Sequence, residues 1–159
     1  MSFNADFNWQ TEFYEYVRQI LALNSMHLIT VDIADEQKDM NQATDFIVNI
    51  KGGTVAVRTR RNIGNQYRDL TIRSKRPSGH ETELQKIKNG FADYYLYIWT
   101  SENKIVDWWL VDVNKMRESN LLERERIEIW NKDRSSAFIA ITFGELGNAH
   151  AIISTMNTM

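Results

Sequence analysis

Between Arg58 and Arg76 the chain sets seven cations (Arg58, Arg60, Arg61, Arg68, Arg73, Lys75 and Arg76) against one acid, Asp69. That local balance of +6 sits in a protein of formal net charge −2, so the remainder sums to −8. A basic island on an acidic chain is a place for an anionic partner, and a nucleic-acid backbone, DNA above all, is the commonest candidate. The alternative is a solvated basic hairpin with no ligand. Tyr94, Tyr95, Tyr97, Trp99, Trp108 and Trp109 could add base stacking. Adjacent aromatics on a strand point to opposite faces, however, so at least half belong to the core. The Trp108-Trp109 pair is expected to show one exposed ring, for a homodimer contact or a helix packed over the sheet.

Other chemistries find little support. The absence of cysteine excludes a disulfide framework, a thiolate zinc site and a Cys nucleophile, and fits a reducing compartment. His27, His80 and His150 stand far apart, in no metal-ligand spacing. Lys51-Gly52-Gly53 reads as a turn, since the spacing of a phosphate loop is missing, and neither GxGxxG nor GxSxG occurs. The N-terminal MSFNADFNWQ has no basic region followed by an apolar run and does not read as a signal peptide. No run of apolar residues is long enough for a membrane helix. The expectation is a cytoplasmic protein that makes no use of a membrane.

The elements that must position the cations follow from periodicity. Phe13, Val17, Ile20 and Leu21 recur at helical spacing and predict an amphipathic helix from Trp9 to about Leu23. HLITVDIA (27–34) reads as a strand and 35–44 as an acidic loop. From Asp45 to Arg76 three short strands follow, joined by tight turns at Lys51-Gly52-Gly53 and around Gly64. In the second, Val55, Val57 and Thr59 share one face and Ala56, Arg58 and Arg60 the other. In the third, Leu70 and Ile72 oppose Asp69, Thr71, Arg73 and Lys75. A helix over 80–89 turns Leu84 and Ile87 inward, sets Glu83 and Lys86 on a shared face and stops at Gly90. Strands at 93–100 and 104–113 are joined by the turn Ser101-Glu102-Asn103. A helix at 114–122, a hairpin of 127–130 with 137–142, and a weakly patterned tail complete the chain. The class is α/β, a central mixed β-sheet flanked by helices with a β-rich C-terminal end. At 159 residues one domain is expected (1–159), with its core at about 9–113, a C-terminal helix and hairpin at 114–147 and a tail at 148–159.

A helix, a strand opened by Asp, a Gly turn, a strand ending in basic residues, then helix and strand: this order resembles the PD-(D/E)XK nuclease superfamily, with its restriction-endonuclease-like fold. The resemblance spans roughly residues 9–113. It implies an Asp on one strand and an acid-x-Lys on the next, binding Mg²⁺ or Mn²⁺ and positioning a water for phosphodiester hydrolysis. Asp45 stands at the first position, but Ala56 replaces the acid and Arg58 the lysine. Alanine cannot ligate a metal, and arginine stays protonated, though it can hold a phosphate. Members of the superfamily take a carboxylate or Lys from a neighbouring element, which brings in Asp69, Glu83 and Lys86, and Glu12 or Glu15 of the first helix. A metal held by Asp45 with Asp69 or Glu83 would restore hydrolysis. Each acid also has an ordinary reading: Glu83 as a helix surface residue, Asp69 as an ion-pair partner of the arginines, Asp45 as a strand opening. The stretch from Arg68 to Tyr97 also resembles phage- and prophage-encoded proteins of this type, implying a bacterial or phage-infected cell.

Three readings result. The first is a nuclease-like, metal-dependent protein with Asp45, Asp69, Glu83, Arg58 and Lys86 at its centre. The second is a catalytically degenerate module of the same fold that binds DNA or a protein through its basic residues. The third is a phage accessory protein whose basic hairpin meets an acidic protein.

Overall fold

The structure, a computed structural model, describes residues 8–24, 28–33, 46–50, 53–61 and 68–158. Asp45 and the turns at 51–52 and 62–67 lie outside the described residues, so the reading of Asp45 as a ligand stays with the sequence. A helical turn at 8–11 leads into helix α1 (Tyr14–Asn24), whose Val17, Ile20 and Leu21 are buried together with Phe13, as their spacing predicts.

Strands β1 (Leu28–Ile33), β2 (Phe46–Ile50) and β3 (Gly53–Arg61) form an antiparallel meander. Strand β4 (Asp69–Lys75) and helix α2 (Glu83–Lys88) then carry the chain over to β5 (Tyr94–Ser101), which pairs parallel with β3. A parallel pair needs such a long crossover. β5 turns back into β6 (Lys104–Asp112) through the predicted turn. Beyond helix α3 (Val113–Glu118) and a 3₁₀ turn at Leu121–Glu123 come β7 (Ile129–Trp130), β8 (Ala137–Thr142), helix α4 (Phe143–Asn148) and β9 (Ile152–Thr155). The weakly patterned tail is therefore partly ordered, β9 closing the six-stranded mixed sheet against β6. The architecture is mixed α/β, and no helix among the described residues is long and apolar enough to cross a membrane.

One expectation is corrected. β4 does not form a hairpin with β3; it pairs with β8, and β8 with β7, in a second, antiparallel sheet. The reason is burial on both faces of β3 and β5. Val55, Val57, Leu96, Ile98, Trp108 and Leu110 pack under α1 on one side. On the other, Ala56, Tyr95, Tyr97, Trp99, Trp109 and Val111 need a cover, supplied by Leu70 and Ile72 of β4, Ile139 and Ile141 of β8, and Ile87 of α2. Trp108 and Trp109 accordingly point to opposite faces and both are buried, against the expectation of one exposed ring. The covered face carries a run of rings, Tyr95 to Tyr97 at 6.3 Å, Tyr97 to Trp99 at 4.7 Å and Trp99 to Trp109 at 4.5 Å between centroids.

Two glycines are set by geometry. A side chain at Gly53 would come within 3.1 Å of the Tyr94 ring, and Gly90, at φ +98°, ends α2 in a conformation that side chains resist.

The C-terminal helix is held electrostatically. Thr142 caps α4 and forms a reciprocal capping box with Glu145, whose carboxylate also accepts from Arg126 at 2.8 Å. Burial alone would raise the Glu145 carboxyl, but the Arg126 hydrogen bond and those from Thr142 outweigh it and hold it down to about 2, from 4.5. The stability it contributes is complete above about pH 4.5 and is lost as pH falls towards 2. Thermal unfolding should therefore steepen its decline over that interval, and Glu145→Gln should flatten it; an unchanged profile would contradict the assignment.

Candidate nucleic-acid interface

Helix α2 begins at Glu83 because Thr82 caps it: the Thr82 hydroxyl accepts from the Gln85 N–H at 3.3 Å, and the Gln85 side chain accepts from the Thr82 N–H at 2.8 Å. This puts a carboxylate at the positive end of the helix. Glu83 is not the surface residue its helix position suggests; it is 2% exposed. One of its oxygens accepts from the Tyr95 hydroxyl. The other accepts from the Arg73 backbone N–H at 3.0 Å and lies 3.9 Å from the Arg58 guanidinium. Burial and the Glu83 charge both push the Tyr95 hydroxyl well above its ordinary value, so it stays protonated and donates.

Around this carboxylate the two sheets leave a cavity of about 230 Å³, lined by Arg58 and Arg60 of β3, Thr71 and Arg73 of β4, and Tyr97 of β5, together with Glu83. Phe138 of β8 and the loop residues Asn131 and Ser136 close the other wall. Thr71 and Tyr97 join the walls through their hydroxyls, 2.6 Å apart. Asp69, on the same side of β4 as Thr71 and Arg73, lies 3.4 Å from Arg60. Three arginines thus line a space together with one carboxylate, and a second acid, Asp69, pairs with one of them.

The remaining predicted cations divide. Arg61 stacks over the Trp9 ring, 4.2 Å from its centroid. Arg68 pairs with Asp107 at 3.6 Å and Lys75 with Glu128 at 2.5 Å. Lys86 is depressed from its ordinary value, first by burial and then by Arg76, with Arg73 adding to the effect and Glu81 and Glu83 opposing it. Of the seven basic residues read from sequence, then, Arg58, Arg60 and Arg73 converge on the cavity. Sequence reasoning missed Thr71, Tyr97, Asn131, Ser136 and Phe138. Thr71 was placed on the right face of its strand, but the pairing of β4 with β8 leaves no local signal.

As ligands for Mg²⁺ or Mn²⁺, the described residues fit poorly. Such an ion wants several unencumbered oxygens. Glu83 spends both of its oxygens on protein donors, and Asp69 faces Arg60. Among the described residues no three His, Cys, Asp or Glu side chains converge. A scan against protein-family models finds no match for this chain, and no curated protein matches its sequence.

The Glu83 contacts make a direct prediction. Glu83→Ala should cost about 3 kcal/mol in urea unfolding, because it takes from the buried Tyr95 hydroxyl and the Arg73 N–H the acceptor they share and from Arg58 the carboxylate 3.9 Å away. Glu83→Gln keeps an acceptor and should cost less than half as much. Equal costs, or none, would mean that the carboxylate does not organise the cavity.

Proposed function

We propose that this protein binds nucleic acid through its phosphates, with Arg58, Arg60 and Arg73 as the contacting cations, as a module of the kind that keeps a nuclease-like architecture without the full set of metal ligands. The observation that carries the reading is the convergence of three arginines from two different sheets on one cavity. Arginine forks match phosphate oxygens and keep their charge at any physiological pH. Arg58 and Arg60, two residues apart on β3, and Arg73 on β4 approach the space from two sides, as a phosphate between them requires. The resemblance to the PD-(D/E)XK superfamily supports the reading through one position: Arg58 stands where that superfamily has lysine.

Metal-dependent hydrolysis is the second reading, and it turns on Glu83. This carboxylate comes from the neighbouring helix to within 3.9 Å of Arg58. Hydrolysis would require Asp45 to add oxygens to those of Glu83, and Glu83 to give up a present partner. Mg²⁺ or Mn²⁺ so held would activate the attacking water and offset phosphate charge.

The test is binding of a labelled oligonucleotide across a salt series with chelator present. Arg60→Gln with Arg73→Gln should weaken binding by at least about tenfold and lower the slope of log affinity against log salt by about 1 to 2. Lys115→Gln, on helix α3 beyond the Asp112 end of β6 and so away from the Arg60–Trp99 end of the sheet, should change neither. Undiminished affinity in the double variant, or no binding at physiological salt, would refute the proposal. Turnover that requires Mn²⁺ and vanishes in Asp45→Ala would establish hydrolysis in its place.

A further inference from the structure

We infer that the strand recognised is single-stranded, with one phosphate held among the cavity arginines and an unpaired base or its sugar laid against Phe138. The inference rests on the nucleic-acid reading above and names its substrate class. A duplex stacks its bases inside and offers a protein its phosphates and the edges of its bases, never their faces. Cations that serve it belong on an accessible surface. Here the converging cations are set back: the Arg58 and Arg60 side chains are 25% and 31% exposed, in a space of about 230 Å³ with one sheet on either side. The more exposed Arg68 and Lys75, at 55% and 57%, lie outside this space, beside Asp107 and Glu128.

The lining is also chemically mixed in a way that phosphates alone do not need. Phe138 shares the cavity with the arginines. Ile129 of β7 lies directly opposite Phe138 in the strand register, hence on the same face, and is 47% exposed. An apolar strip therefore runs outward from the arginines. Tyr97 is 1% exposed and presents its hydroxyl edge, which leaves the ring face to Phe138. Base or sugar contact with such a strip is open to a flexible single strand, whose successive phosphates and bases can enter separate subsites, and it tolerates any sequence.

The experiment compares fluorescence anisotropy of a labelled oligonucleotide of about 12 nucleotides with that of its blunt duplex, at matched salt. The single strand should bind at least tenfold more tightly. Phe138→Ala should weaken the single strand several-fold and leave the duplex unchanged, and Ile129→Ser, at an exposed position that folding tolerates, should do the same to a smaller degree. Duplex binding as tight as single-strand binding, still weakened by the arginine substitutions, would overturn this inference and leave phosphate recognition standing. A mononucleoside monophosphate that competes at the same concentration as the oligonucleotide would overturn the strand reading in favour of a free nucleotide. Loss of all binding would remove both proposals together.

Discussion

The structure depends on the burial of one carboxylate. Glu83 is sequestered at the junction of the two sheets and helix α2. An unpaired charge there would be prohibitive, so partners have to be drawn in from every neighbouring element. β5 supplies the Tyr95 hydroxyl, β4 the Arg73 N–H and β3 the Arg58 guanidinium. These contacts fix how β4 lies over the central sheet. They also hold Arg58 towards the cavity, where an unanchored arginine would swing into solvent.

The cavity is a consequence of the same packing. β3 and β5 are buried on both faces, with α1 beneath and β4 and β8 above. Because β4 leaves β3 to pair with β8, the cover does not lie flush, and polar faces meet at its margin. Arg58 and Arg60 come from below, Thr71 and Arg73 from above. The Tyr97–Thr71 hydroxyl contact joins the two walls. A simple hairpin of β3 and β4 would instead have spread the same cations along one exposed ribbon. The topology thus converts a diffuse basic stretch into a small concave site, and it distributes the surplus cations into ion pairs and a cation–π contact.

Local pattern was enough for most elements, because amphipathic spacing and strand alternation are local properties. Val17, Ile20 and Leu21 are buried on α1 as their spacing requires, and Leu70 and Ile72 oppose Asp69 and Thr71 on β4 as alternation requires. Partnership was not legible. Nothing near Asp69 in sequence points to Thr142, or near Arg73 to Phe138, yet those are the β4–β8 pairs. Helix α4 and strand β9 escaped notice because their patterns are short, though Thr142 with Glu145 carries the capping-box signal. Glu83 was read as a position with two fates, and only the pairing of β4 with a distant strand decides that it is buried. For the same reason the basic residues were legible as a group, while their division into cavity, ion-pair and stacking roles was not.

The central claim is that Arg58, Arg60 and Arg73 act together on a phosphate. The most direct measurement is NMR of the arginine Nε–Hε groups during titration with a single-stranded oligonucleotide. The account predicts that the Arg58, Arg60 and Arg73 signals shift together, saturating at one common affinity. Arg117, which donates to the Ile87, Phe91 and Ala92 carbonyls, and Arg126, bound to the Ala140 carbonyl and Glu145, should stay in place. Shifts confined to other arginines, or none at saturating strand, would contradict it.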